Sequence, residues 1–154
     1  MDNKKNVISK KNTNDNINLV AKSFSNQAKE NRNEKEITDW FYMTPEEVTA
    51  KMISNLLQAQ SNVIVELWEE MNILQLELPS KISVDFEPII INFRDPADAE
   101  FVENRNIKTI FEVTMGEAVL QEMNEILRII INEWDGFLCA DSDDFHPIFG
   151  KADL

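Results

Sequence analysis

Apolar residues recur at helical steps over two long stretches of the chain, and at alternate positions between them. Val48, Met52, Leu56, Ala59, Val63, Leu67 and Met71 form the first stripe. It predicts a helix over 45–71, with Ile64 and Trp68 widening its apolar face. Thr44-Pro45-Glu46-Glu47 reads as the start of that helix. Thr44 is placed to cap the N–H of Glu47, Pro45 suits the first helical position, and Met43 and Val48 can staple across the cap. The period then drops to two. Leu74, Leu76 and Leu78, then Ile82, Val84 and Phe86, flank Pro79-Ser80 and predict a β-hairpin. The competing reading runs the helix on to Leu78, but 81–87 carries no helical stripe.

Ile89 to Phe93 reads as a further strand, with Pro88 at its first position or at a bulge. Asp95-Pro96 predicts a short helix over 96–104, capped by the Asp, and Asn104-Arg105-Asn106 ends it. Ile107 to Met115 reads as a strand broken by Gly116. Val119, Leu120, Met123, Ile126, Leu127, Ile130, Ile131 and Trp134 predict a second long helix over 117–134, stopped by Asp135-Gly136. Residues 137–154 read as irregular. The expected fold is α+β: a three- to four-stranded, mainly antiparallel sheet packed by two long helices and one short one.

The N-terminal stretch departs from this pattern. Residues 1–33 hold nine asparagines, no Pro and no Gly, so 1–15 are expected to be disordered. Ile17, Val20, Ala21, Phe24 and Ala28 make a thin stripe over 16–30, either a helix formed against a partner or a frayed linker. The chain therefore divides into a basic, Asn/Lys-rich tail (1–35) and one acidic domain (36–154). At 154 residues and 43% hydrophobic composition, a single well-formed core fits this length.

Charge sharpens the division. Residues 1–35 carry eight Lys and Arg against four Asp and Glu, a net +4. The remainder carries seven against 24, a net −17. Such a body repels nucleic acid and anionic lipid and attracts basic proteins, although acidity can also serve solubility alone. A single cysteine, Cys139, excludes an internal disulfide and any multi-cysteine zinc centre. No apolar run approaches the ~20 residues that span a bilayer, and Met1 to Lys11 lack a signal-peptide apolar stretch. A soluble, cytoplasmic protein is expected.

Four constellations are candidates for chemistry. Asp141, Asp143 and Asp144 with His146 offer metal ligands, but the calcium-loop pattern fails, with Phe145 and Ala152 where oxygen ligands belong. Glu66 with Glu69, and Glu122 with Glu125, have the spacing of paired metal ligands on helices, yet fall off the apolar faces. Cys139 and His146 form the one conceivable Cys–His pair, and three glycines leave no phosphate loop. The fourth sets aromatic anchors among carboxylates: Trp134, Asp135, Phe137, Asp141, Asp143, Asp144 and Phe145, with Phe149 beyond. That combination suits a basic protein surface, and the competing reading makes the aromatics core.

The expectation is a non-enzymatic acidic binding module without cofactor or resident metal. Its most concrete form is an inhibitor of a basic partner: an immunity protein or antitoxin facing a nuclease-type toxin, or a phage inhibitor of a host nucleic-acid enzyme. The alternatives are a small acidic chaperone or assembly factor, with a possible homodimer, and a metal-dependent hydrolase.

Overall fold

The computed structural model describes residues 36–154. The expectations for 1–15 and 16–30 lie outside the described residues. The elements are β1 (Asp39–Thr44), α1 (Ala50–Gln60), β2 (Ile64–Trp68), β3 (Ile73–Glu77), β4 (Ser83–Pro88), α2 (Pro96–Asn104), β5 (Thr109–Thr114), α3 (Glu117–Glu122), α4 (Asn124–Trp134), β6 (Phe137–Ala140) and β7 (Ile148–Phe149). The α+β class holds, but among the described residues the sheet has seven strands rather than three or four. All pairings are antiparallel, in the order β2-β3-β4-β5-β1-β6-β7.

The extra strands come from stretches with no clean alternation. Trp40-Phe41-Tyr42-Met43 is a continuous apolar run because β1 is central and buried on both faces. Trp40 and Tyr42 enter one core, Phe41 and Met43 the other. The helix expected over 45–71 is replaced by α1 and β2. Thr44 ends β1, and its hydroxyl donates to the Trp134 carbonyl (2.6 Å) while accepting the Glu46 N–H (3.1 Å). The working cap is Thr49, whose hydroxyl accepts the Met52 N–H at 3.2 Å. Asn72 Oδ1 accepts the Ala50 N–H at 2.6 Å, tying the β2–β3 connection to the first turn of α1.

The hairpin stands where the alternation placed it: β3 and β4 pair with Leu74 opposite Phe86 and Leu76 opposite Val84. Its turn is held by Glu122, which accepts the Ser80 N–H (3.1 Å) and hydroxyl (2.7 Å). Asp95 caps α2 and Pro96 opens it, as the sequence indicates. Residues 89–93 are not a strand. After one ladder bond from the Ile89 N–H to the Ile110 carbonyl (2.9 Å), the chain leaves β5, and Ile89 and Phe93 pack onto the second core. The long helix expected over 117–134 breaks at Met123 (φ −81°, ψ −4°) into α3 and α4. Residues 137–140 and 148–149 are strands, not irregular chain.

One face of the sheet packs on α1, α3 and α4 through Leu74, Leu76, Val84, Phe86, Phe111, Val113 and their helical partners. The opposite face is covered only over β5-β1-β6. There Phe41, Met43, Ile110, Cys139 and Phe145 meet α2 and residues 89–93. Over β2-β3-β4 that face is open to solvent: Glu66 and Glu87 are exposed, and Gln75 and Asp85 half-buried.

Candidate functional site

Strand parity decides which side chains share the open face. Val65 and Leu67 of β2, Leu74 and Leu76 of β3, Val84 and Phe86 of β4, and Phe111 and Val113 of β5 point to the helices. Their neighbours along each strand must then point the other way. The strands hold six acidic residues: Asp39, Glu66, Glu77, Asp85, Glu87 and Glu112. All six fall on the face away from α1, α3 and α4, the four on β2-β3-β4 where that face is open and Asp39 and Glu112 beside the part covered by α2. Among the described residues, none of the seven strands contains Lys, Arg or His.

The register concentrates these groups further. One row crosses the sheet as Glu66, Gln75, Asp85, Thr114 and Asp39, each opposite the next. Gln75 Nε2 donates to Asp85 Oδ1 at 2.8 Å. In the adjacent row Glu87 lies directly opposite Glu112. Like charges directly opposite one another are in general destabilising in a sheet. Asp39, Glu112 and Asp141 each bring a carboxylate oxygen within 4.8 Å of the others. Asp141 follows β6, and its N–H reaches the Asp39 carbonyl at 3.0 Å, so it extends the acidic face across β1. At the far end Lys81 Nζ lies 3.7 Å from Glu77.

Three hard oxygen donors of this kind could hold Mg²⁺ or Ca²⁺. The helical pairs considered from sequence do not come together. Glu66 is on β2, Glu69 lies in a 3-10 turn 3.5 Å from Lys51 Nζ, and Glu122 is engaged by the Ser80 turn. Glu125 pairs with Arg128.

The residues singled out near the C terminus divide into two groups. Phe145 is 1% exposed, in the second core, with its ring 4.5 Å from Phe101, 5.9 Å from Phe93 and 6.1 Å from Phe41 between centroids. Phe137 packs edge-on against Phe101, Trp134 is half-buried against the helix-side core, and Phe149 meets Trp40. The carboxylates differ. Asp135 caps α4 in the left-handed region and sits 3.3 Å from Lys151 Nζ. Asp143 and Asp144 are exposed.

Asp144 Oδ1 accepts the His146 N–H (3.0 Å) and the Ser142 hydroxyl (3.3 Å). These contacts, the His146 N–H above all, hold its pKa below the ordinary carboxylate value. The bonds favour the ionised form. Their support of the turn is complete at neutral pH and is lost only as pH falls through that lowered value.

Cys139 is fully buried on β6. Burial pushes its pKa well above the ordinary thiol value, Asp141 adds to the rise, and Arg105 opposes it. The protonated thiol is a poor nucleophile. Cys139 is therefore expected to resist an aromatic disulfide reagent in the native protein and to react stoichiometrically in denaturant. Fast labelling of the folded chain would contradict that placement.

The sequence alone showed an acidic body but not the face. Parity, and therefore the strand assignments, was the missing information. Among the described residues, no helix is long and apolar enough to cross a membrane. No protein-family model, no curated protein and no solved structure matches the chain.

Proposed function

We propose that this protein is a non-catalytic acidic module that binds a basic protein partner through the open face of its sheet. The observation that carries the reading is the placement of all six strand carboxylates on the face opposite α1, α3 and α4, four of them (Glu66, Glu77, Asp85 and Glu87) over its open part, with no cation on any strand among the described residues. A solubility role asks only for charge spread over the surface. Asp141 joins this face to the exposed carboxylates of Asp143 and Asp144, so the C-terminal turn contributes at its margin. Phe137 and Phe145 pack in the second core beside this face, and Trp134 lies against the helix-side core.

A concentrated negative face steers a basic partner into fast encounter and covers the cationic surface with which that partner would hold phosphates. The concrete form is an inhibitor of a nuclease-type toxin or of a nucleic-acid enzyme, acting in the cytoplasm without a cofactor. A salt titration tests it. Association of the full chain with a lysine-rich peptide should be measurable in ~20 mM salt and largely gone near 1 M, where the Debye length is ~3 Å. Absence of association at low salt would end the reading.

The Asp39–Glu112–Asp141 cluster favours one competing reading, a metal-dependent hydrolase. A saturable thermal shift with millimolar Mg²⁺ or Mn²⁺, abolished by Glu112→Gln, would support it instead.

A further inference from the structure

The two edges of the sheet are unlike. β7 is two half-buried residues, Ile148–Phe149, followed at once by a 3-10 turn. β2 is five residues long and, among the described residues, pairs only with β3. Edge strands usually carry a proline, a lysine or a bulge that discourages further pairing. β2, Ile-Val-Glu-Leu-Trp, has neither proline nor lysine, and its pairing with β3 runs without interruption from Ile64 opposite Glu77 to Trp68 opposite Ile73.

Its outward positions are also unusual. Ile64 is 59% exposed and Trp68 37%, with the exposed Glu66 between them. Beyond Trp68 stand Glu69, Glu70 and Met71, the last 57% exposed. At the Ile64 end the edge opens on a cleft of about 310 Å³ lined by Val63, Leu78, Pro79 and Ile126, with Glu77 beside Lys81 at its rim.

We propose that β2 is the docking edge for an extended segment of the basic partner, which adds an eighth antiparallel or parallel strand to the sheet. The inference rests on the reading of a basic partner and specifies how part of it binds. Main-chain bonds to the free edge supply the affinity. Side chains supply the choice: an apolar residue beside Ile64, a lysine or arginine two positions on beside Glu66, and an apolar residue two further on beside Trp68. Glu70, exposed beyond Trp68, extends the preference for positive charge. A second copy of this chain is a poorer occupant. Antiparallel pairing of β2 with itself about its centre sets Glu66 opposite Glu66, between two bodies of net −17 each.

The test uses the full chain and two synthetic seven-residue peptides of one composition. In the first, threonines alternate with valine, lysine and valine. In the second, the same residues are reordered so that no alternation remains. Amide hydrogen exchange by NMR reads the site. The first peptide is expected to slow exchange of outward amides within 64–68 at least tenfold, and to bind at least tenfold tighter than the second. Glu66→Lys and Ile64→Lys, each checked for unchanged circular dichroism, should each weaken it at least tenfold.

Equal binding of both peptides, or protection confined to other strands, would overturn strand addition while leaving the acidic-face reading intact. Failure of both peptides to bind at low salt would overturn strand addition, and failure of the lysine-rich peptide as well would overturn both. Slow β2 amides without peptide would also overturn it. Concentration-dependent protection would make a second copy the occupant, and concentration-independent protection would make it residues 1–35.

Discussion

Reversing three charges on the open face, Asp39→Lys, Glu66→Lys and Glu87→Lys together, is expected to weaken binding of a lysine-rich peptide about 100-fold, or ~2.7 kcal/mol. The three residues are exposed and occupy three different strands of one face. Each reversal adds two units, taking residues 36–154 from −17 to −11. An exposed ion pair contributes about 0.2–1 kcal/mol, and a reversal replaces attraction by repulsion, so three of them reach that range. The loss should appear mainly in the association rate and should shrink as salt rises.

The fold should survive, because exposed substitutions of this kind change stability by about 0.5 kcal/mol or less. Glu87→Lys should be mildly stabilising, since it turns the Glu87–Glu112 opposition into a cross-strand pair of opposite sign. A control reversal of Glu117, Glu125 and Glu133 on the helical side changes net charge equally. If it weakened the peptide as much as the face reversal, net charge alone would explain the binding.

Phe145→Ala is expected to act on stability and leave binding alone. Its ring lies among Phe41, Phe93 and Phe101, and its backbone is in the left-handed region at φ 64°. Truncating a buried phenylalanine costs about 3–5 kcal/mol through lost transfer energy and a residual cavity. For a domain of this size that corresponds to a Tm lower by roughly 10–20 °C. Peptide affinity measured well below the new Tm should match that of the parent chain. An unchanged Tm would contradict the burial of Phe145, and a large loss of affinity in the folded variant would restore the ring as a partner contact.

The parts of the fold legible in the sequence are those where one rule acted alone. Leu74 to Phe86 alternates because β3 and β4 are buried on one face and wet on the other, and Asp95-Pro96 combines two signals for one helix start. The parts misread are those where two rules gave the same letters. β1 has no alternation because both its faces are covered, so Trp40 to Met43 resembles a generic apolar cluster. In β2 the inward Val65 and Leu67 do alternate, but Ile64 and Trp68 fill the outward positions with apolar groups and produce a helical spacing. The error therefore lies at the residues that make this edge unusual. Thr44-Pro45-Glu46-Glu47 has the composition of a cap, yet Thr44 is drawn into β1 by its pairing with Thr109. For the site, the excess of carboxylates was legible from composition. Their gathering on one face was not, because it depends on register between strands far apart in sequence.

The most direct measurement is a residue-by-residue NMR footprint of the lysine-rich peptide on the full chain in ~20 mM salt. The account predicts shifts concentrated on the outward residues of β1 to β5 and on Asp141, and absent from α1, α3 and α4. Shifts spread evenly over the helical carboxylates Glu117, Glu125 and Glu133 would contradict it.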